Sequence, residues 1–562
     1  MSLFGTIQQS SGALQTAQIG LQVVGNNIAN TNTPGFIRQD LQQASAIGTR
    51  QGGLILGHGV RAIGVTQSVD KALAERLFSA TNALAGADTL DRAYAQLEDL
   101  TSDLDNDGLG NQLSLFNNSL HELSAQPGDP SLRDFVILQG ETLAANIQRS
   151  RDQTLELRDS FNVELDGLAD EVNRLTGRIA DLNLSIATVE GGGLVDSDAT
   201  GLRDQRLLDL EALSALVDIN IQEQESGAVA VFVGGDYLIN NGLSREVYTA
   251  FSSSLGGTEI RIVETDSPLA PSSGQVASVL AARDGIFGEH LESLDELAAG
   301  LIRSVNEVHS QGQGRRGYRE ITSSEAATPG VPLVDSGLAV LPRNGTFDLN
   351  VVDVDGEVIS NHRISVRQLG QVGDSTVNSI AADIDAIDGI SASLSADGEL
   401  QIVSDSPTAQ FTFGEDTSGF LASIGINTFF TGSSAVDIQV NQVIRDDADL
   451  FAISTGGIGE DTAALTELID IVDRPLDLLN GRSVRQQYEQ TVADLGQEIA
   501  LQSSATEGLR NFHATLQGQH LAITGVNVDE ESIKLIAFQR AFQASSRVIA
   551  TASEMLELLV NL

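Results

Sequence analysis

The chain has 562 residues and a formal net charge of −45, from 32 Lys plus Arg against 77 Asp plus Glu, with no Cys and no Trp. The length suits about three or four domains, and the missing cysteines exclude disulfides, thiolate metal sites and cysteine nucleophiles. A phosphate-binding protein needs a basic face, so nucleic acid is excluded as a partner: Lys71 and Lys534 are the only lysines.

The N-terminal residues Met1-Ser2-Leu3-Phe4-Gly5-Thr6-Ile7 lack the basic n-region and apolar run of a cleaved signal. No window reaches the roughly 18 apolar residues of a membrane span. Leu3, Ile7, Ser10, Leu14, Ala17, Leu21, Val24 and Ile28 follow one another at alternating four- and three-residue spacings, which predicts a helix with a heptad seam. No side chain is charged before Arg38, and the outer face is amide: Gln8, Gln9, Gln15, Gln18, Gln22, Asn26 and Asn27. A solvated helix face uses Lys, Arg and Glu, whereas a face buried against copies of itself avoids charges that every subunit would repeat. Asn26, Asn27, Asn30, Asn32, Pro34 and Gly35 then end the helix, because asparagine caps and tolerates left-handed backbone and Pro-Gly forces a turn.

Residues 70–190 carry leucines at helical spacing, with a break at Gln126-Pro127-Gly128-Asp129-Pro130. Gly191-Gly192-Gly193 marks a loop, and Leu202-Arg203-Asp204-Gln205-Arg206 opens a helix ending near Val217. Alternation at Val229, Val231 and Val233, at Tyr237 and Ile239, and at Ile260–Val263 predicts strands. Helix returns from Ser278 to about His309. Residues 321–450 are rich in Ser, Thr, Asp and Gly, with hairpin signals at Asp355-Gly356 and Asp397-Gly398, and read as a β domain. Helix resumes near Asp461 and continues to Gly518. At the C-terminus Leu535, Phe538, Phe542, Ser545, Ile549, Ala552, Leu556 and Leu559 form a second seam, with Val548, Met555 and Leu562 beside it.

Two seams of similar length at opposite ends imply that the termini meet and that the rest is inserted into one terminal coiled coil. Charge placement agrees. Residues 1–60 hold only Arg38, Arg50 and Asp40, and residues 521–562 hold three basic and five acidic groups, so the middle of the chain carries nearly all the acidity. An isolated pair of such seams is marginal, which predicts termini that order fully only against neighbouring subunits.

No pattern asks for catalysis. The seven histidines show no HExxH or similar metal spacing, and no GxxxxGK[ST] or GxSxG occurs. Asp103-Leu104-Asp105-Asn106-Asp107-Gly108 resembles the first half of a calcium loop, but Ser114 stands where a bidentate Glu is required, so the reading is a capped polar turn. The expectation is no enzyme, no cofactor and no metal.

The stretch Val24-Gly25-Asn26-Asn27-Ile28-Ala29-Asn30-Thr31-Asn32-Thr33-Pro34-Gly35-Phe36 resembles the N-terminal signature of the flagellar rod, hook and hook-associated axial proteins. Thr524-Gly525-Val526-Asn527-Val528-Asp529-Glu530-Glu531, with Phe538-Gln539-Arg540-Ala541-Phe542, resembles the ending of the hook-associated protein 1 family. Leu202–Arg206, Leu297–Asn306 and Gly425–Gly432 agree with that family. Gly25, Phe36 and Thr524 depart from it where Ser, Tyr and Ser are frequent.

The resemblance implies an α+β multidomain fold. Residues 1–70 with 519–562 would be the terminal coiled-coil polymerisation domain, and 71–220 with 275–320 and 460–518 a helical domain. Residues 221–274 would be a small β subdomain and 321–459 an outer β-rich domain. It implies a structural protein of the bacterial flagellum at the hook-filament junction that templates the filament, with a hook or rod subunit as the alternative. The implied partners are copies of itself, hook protein, the second junction protein, a cytosolic export chaperone and the type III export apparatus, without membrane insertion. The chain would be extracellular and exported without a cleaved signal. The implied interfaces are Leu3, Ile7, Leu14, Ala17, Leu21, Val24 and Ile28 on one helix. Leu535, Phe538, Phe542, Ile549, Ala552, Leu556 and Leu559 lie on the other and double as the chaperone candidate. The two motifs supply Asn26, Asn27, Asn30, Asn32, Pro34 and Gly35, and Gly525, Val526, Asn527, Asp529, Glu530 and Glu531.

Overall fold

The computed structural model describes residues 3–51, 54–101, 108–191, 197–252, 257–371, 373–459 and 461–560. The Asp103–Asp107 segment, Gly192-Gly193 and Leu562 lie outside the described residues. The fold is α+β, with long helices and several small antiparallel sheets. It divides into two compact units, one of residues 1–93, 159–285 and 499–562, the other of residues 94–158 and 286–498.

In the first unit the N-terminal helix Leu3–Ala29 packs along the C-terminal helix Val528–Val560. Strands Gln39–Ser45 and Val60–Gln67 pair antiparallel, from Gln39 opposite Gln67 to Ser45 opposite Val60, and the N-terminal helix rests on this hairpin. The hairpin was not expected in residues 1–70, which read as coiled coil and turn. Its strands, QDLQQAS and VRAIGVTQ, lack the alternation of a half-buried strand, and the helix packed on them supplies the burial that local sequence does not announce. Helix Thr200–Leu216 ends one residue before Val217, as its spacing implies. Strands Asn220–Glu223, Val229–Val233, Asp236–Asn240 and Leu243–Ser244 form one sheet, and Val247–Ser252, Gly257–Ile262 and Ser267–Pro268 another. Gly234 and Gly235, both at positive φ (58° and 96°), make the turn before Asp236.

In the second unit the Pro127-Gly128 turn separates helix Leu109–Ala125 from the start of Pro130–Val189. The hairpin signals are realised. Gly345–Asp353 pairs with Val358–Val366 around Gly356 (φ 88°), and Ile390–Leu394 with Leu400–Ser404 around Gly398 (φ 94°). Residues 321–450 are nevertheless not purely β, since they contain helices Val377–Asp385, Phe420–Ile424 and Gln442–Asp446. The first is closed by a capping box between Thr376 and Ser379, a local signal that the Ser-rich composition hides. The helix expected from Asp461 to Gly518 is also interrupted. Ala463–Asp470 ends before Pro475, Asn480 and Gly481 take positive φ, and Val484–Thr524 begins afresh.

The Gly425–Gly432 stretch lies in this unit's core. Phe429 and Phe430 meet edge to face at 4.7 Å, and Phe451 and Phe116 close on Phe429 at 5.4 and 5.9 Å. Asn306 holds the pair like a strand neighbour: its Oδ1 accepts from the Phe429 and Phe430 amides and its Nδ2 donates to the Phe430 carbonyl. Asn427, at φ 55°, donates to the carbonyls of His309, Ser310 and Gly312 and accepts from the Tyr318 hydroxyl at 2.7 Å. His309 is fully buried. Its Nδ1 donates to the Asn427 carbonyl at 2.8 Å and its Nε2 accepts from the Ala452 amide at 3.0 Å, so its partners select the neutral ring.

Candidate functional site at the paired termini

The seam positions form the inner stripe of the N-terminal helix. Ala17 and Val24 are buried, and Leu3, Ile7, Leu14, Leu21 and Ile28 are half-buried. The stripe is wider than the seam, because Thr16, Gly20, Val23 and Asn27 are buried as well. Gly20 is where the helices come closest. A Cβ there would lie 2.6 Å from the Phe538 ring, so only glycine admits that ring.

Across from it, Ala552 is buried, Leu535, Phe538, Phe542, Ser545, Ile549 and Leu556 are half-buried, and Leu559 is 64% exposed. The neighbouring stripe is open, with Ile536, Val548, Met555, Leu558 and Val560 all exposed. The two helices pack side by side, and a polar clasp, absent from a count of apolar positions, adds to their apolar contacts.

The clasp joins the two motifs. Asn27 and Glu531 are both wholly buried, and the Asn27 Nδ2 donates to a Glu531 carboxylate oxygen at 2.9 Å. Asn27 also holds the start of the hairpin: its Nδ2 donates to the Gln39 carbonyl and its Oδ1 accepts from the Gln39 amide at 3.0 Å. The other Glu531 oxygen accepts from Lys534 Nζ at 2.9 Å, and Lys534 reaches Asp40 at 3.2 Å. Burial works against the Lys534 charge, but its bonds to Glu531 and Asp40 outweigh that and hold its pKa above the ordinary lysine value. A buried carboxylate without such partners would cost several kcal/mol.

The remaining motif residues shape the two bends. Asn30 bonds the Asn26 carbonyl and side chain, and Asn26 reaches Gln39 Oε1 at 3.2 Å. Asn32 and Pro34 are exposed, and Gly35 turns at φ 74° against Leu208, where a Cβ would collide. At the other bend Gly525 approaches the Leu521 carbonyl too closely for a Cβ, Val526 is half-buried, and Asn527 caps the last helix by accepting from the Asp529 amide. Asp529 and Glu530 are exposed at the first turn, where carboxylates favour the helix dipole. The Arg38 amide donates to the Thr524 carbonyl at 2.8 Å, which ties the bends together.

Helix Thr200–Leu216 anchors the assembly through the Leu202–Arg206 stretch. Arg203 grips both Glu190 oxygens at 2.7 and 2.8 Å and reaches Glu223 at 2.7 Å, and the buried Arg206 donates to Asn183 and the Gly227 carbonyl. Asp204 accepts from Gln67 and from the Ile37 backbone, and burial, exceeding those bonds, pushes its pKa up to about 6. Gln39 reaches Thr200 at 2.9 Å. Sequence reasoning missed Gly20, Gln39, Asp40 and Lys534. The rarity of lysine in this chain was the one signal for Lys534, and nothing local marks the others. Among the described residues no group of His, Asp and Glu is arranged to hold a metal ion.

Known proteins resemble the chain along its whole length. Residues 7–36 match the family described as flagella basal body rod protein, 94–320 the helical domain of the flagellar hook-associated protein FlgK, and 517–562 the flagellar basal body rod FlgEFG protein C-terminal. The chain is 24% identical over 582 residues to flagellar hook-associated protein 1 of Escherichia coli (strain K12), covering 99% of each chain. It is 25% identical over 576 residues to the protein of the same name from Bacillus subtilis (strain 168), covering 100% of this chain and 98% of that one. The solved flagellar hook junction protein FlgK from Burkholderia pseudomallei shares the fold, at a TM-score of 0.50 and 15% identity, over 80% of this chain and 100% of that chain.

Proposed function

We infer that this chain is a member of the flagellar hook-associated protein 1 family and a structural part of the bacterial flagellum that forms the junction between hook and filament. The observation that carries the reading is the meeting of the two terminal motifs. Stretches matching two separate axial-protein families close on each other through Asn27 and Glu531, with the hook-associated helical region between them. In this reading residues 1–70 with 519–562 are the polymerisation domain. In the same reading residues 71–220, 275–320 and 460–518 are the helical domain, 221–274 a small β subdomain and 321–459 a β-rich domain.

The mechanism is geometric rather than catalytic. Copies of a chain with 77 acidic and 32 basic side chains repel one another over most of their surface. They can approach closely where charge is absent, along the amide face of the N-terminal helix and the open stripe of the C-terminal helix. Half-burial of the seam supports this, since Leu559 and its exposed neighbours gain cover only from another subunit. The chain assembles with itself and with hook components, and the ring so formed presents a surface to the second junction protein and then to the filament. Before assembly the Leu535–Leu559 stripe is the segment held by an export chaperone, a helix-in-groove contact. Passage through the type III apparatus as an unfolded chain suits a protein without disulfides.

Electron microscopy of a strain lacking this chain, with filament protein assayed in the medium, tests the role. Hooks of normal length without filaments, and filament protein lost to the medium, are expected. Absent or shortened hooks would move the chain to the rod or hook, and normal flagella would overturn the reading.

A further inference from the structure

The acidity of the chain is locally inverted at one place in the second unit. Arg303, Arg343 and Arg474 line a cavity of about 230 Å³ in which, among the described residues, Glu307 is the only carboxylate. Glu307 is already engaged by Arg303 at 2.9 Å. Arg343 and Arg474 are exposed, and among the described residues neither guanidinium has a hydrogen-bond or ion-pair partner. A second cavity of about 350 Å³ shares Arg303, Glu307, Arg343 and Leu478 with the first, so the two form one groove. Its apolar wall includes Ile302, Leu341 and Leu478, of which Leu341 is 48% and Leu478 49% exposed. Two further carboxylates line the groove: Asp416 is spent on its own loop, accepting from the Ser418, Gly419 and Leu421 amides, and Glu325 is half-buried, with burial first and Asp437 second raising its pKa toward the neutral form.

We propose that this groove docks a carboxylate-bearing, leucine-flanked surface of a second copy of the chain. The inference rests on the assembly reading above and deepens it by naming a contact away from the termini. Unpaired guanidinium groups beside exposed leucines suit a carboxylate that arrives with an apolar neighbour, because the planar fork donates to both oxygens while the leucines exclude water. A copy carrying 77 acidic side chains is the ready source of that carboxylate. In an acidic polymer such a contact turns part of the repulsion between subunits into register, since the acid of one copy is favoured only where it meets these arginines.

The test places a benzophenone side chain in place of Leu341 in the full chain, within cells assembling flagella, and identifies adducts by mass spectrometry after irradiation. A chain-to-chain adduct is expected. It should fall roughly tenfold with Arg343→Glu/Arg474→Glu and by less with Arg343→Lys/Arg474→Lys, which keeps the charges but loses the planar fork. No adduct, an adduct only to a different protein, or a chain-to-chain adduct indifferent to charge reversal would overturn the proposal. Circular dichroism melts of the purified chains check folding, and Arg474→Glu alone replaces the double variant if that one melts early. The two readings fail differently. Filaments grown without the chain overturn the junction role, whereas filaments grown with it but without a charge-sensitive adduct overturn this contact alone.

Discussion

Asn27 and Glu531, 504 positions apart in sequence, are bonded side chain to side chain at 2.9 Å with neither reaching solvent. The bond makes the register of the two terminal helices a matter of polar satisfaction as well as apolar packing. A slip by one heptad would preserve most seam contacts but strand a buried carboxylate and a buried amide.

Asn27→Leu removes the donor to Glu531 and both bonds to Gln39. We expect a loss of about 2–4 kcal/mol in the stability of the terminal pair, read by denaturant melts and by hydrogen exchange over residues 528–540. Glu531→Gln keeps an acceptor and should cost less. Unchanged exchange in Asn27→Leu would mean that the clasp does not hold the helices.

Gly20→Ala should drive the Phe538 ring aside and destabilise the pair by about 1–3 kcal/mol. Phe538→Leu in the same chain should recover part of that loss. A double-mutant cycle on melting temperature checks it, and additive effects would place the ring elsewhere.

Leu559→Asp separates assembly from folding, because Leu559 is 64% exposed in the single chain. The purified variant should melt within about 0.5 kcal/mol of the parent yet fail to support filaments in a strain lacking the natural chain. Leu556→Asp, at a half-buried position, should fail in both assays. Normal filaments with either variant would count against an assembly role for this seam.

The second unit should be acid-sensitive through His309. Burial, opposed by the Asn427 bond, lowers its pKa to about 4 from 6.5, and burial alone does the same for His290. The unfolded chain therefore binds protons first, so the stability each neutral ring supplies is complete above pH 6.5, declines as pH falls, and is gone near pH 4. For His309 the decline is on the order of 3 kcal/mol. His309→Gln should be less stable at pH 7 but show a shallower slope between pH 6.5 and 4, measured by denaturant melts. Equal slopes would mean that the ring takes up its proton in the folded state.

Periodicity and resemblance were enough for the helices at both ends, the Pro127-Gly128 break, the hairpins at Gly356 and Gly398, and the likeness to flagellar axial proteins. Each is signalled over a few residues, by heptad spacing, a turn pair or a motif. The strands Gln39–Ser45 and Val60–Gln67, the capped helix Val377–Asp385 inside a Ser-rich region, and the break before Val484 were not legible in the same way. The two strands are ordinary in local context and are sustained by the helix packed on them, whereas the Thr376–Ser379 cap and the Asn480-Gly481 turn are local signals that a reading by composition and periodicity passes over.

What the sequence determined by itself was the kind of protein: two neutral amphipathic ends, an acidic middle, and motifs of an axial family. Tertiary structure alone decided what those motifs do to one another. The carboxylate of Glu531 is tolerated in a buried seam because Asn27, held by the Gln39 that the Thr33-Pro34-Gly35 turn brings back to it, and Lys534 reach it together. Such a bond depends on distance in space, and no spacing along the chain encodes a contact across 504 positions.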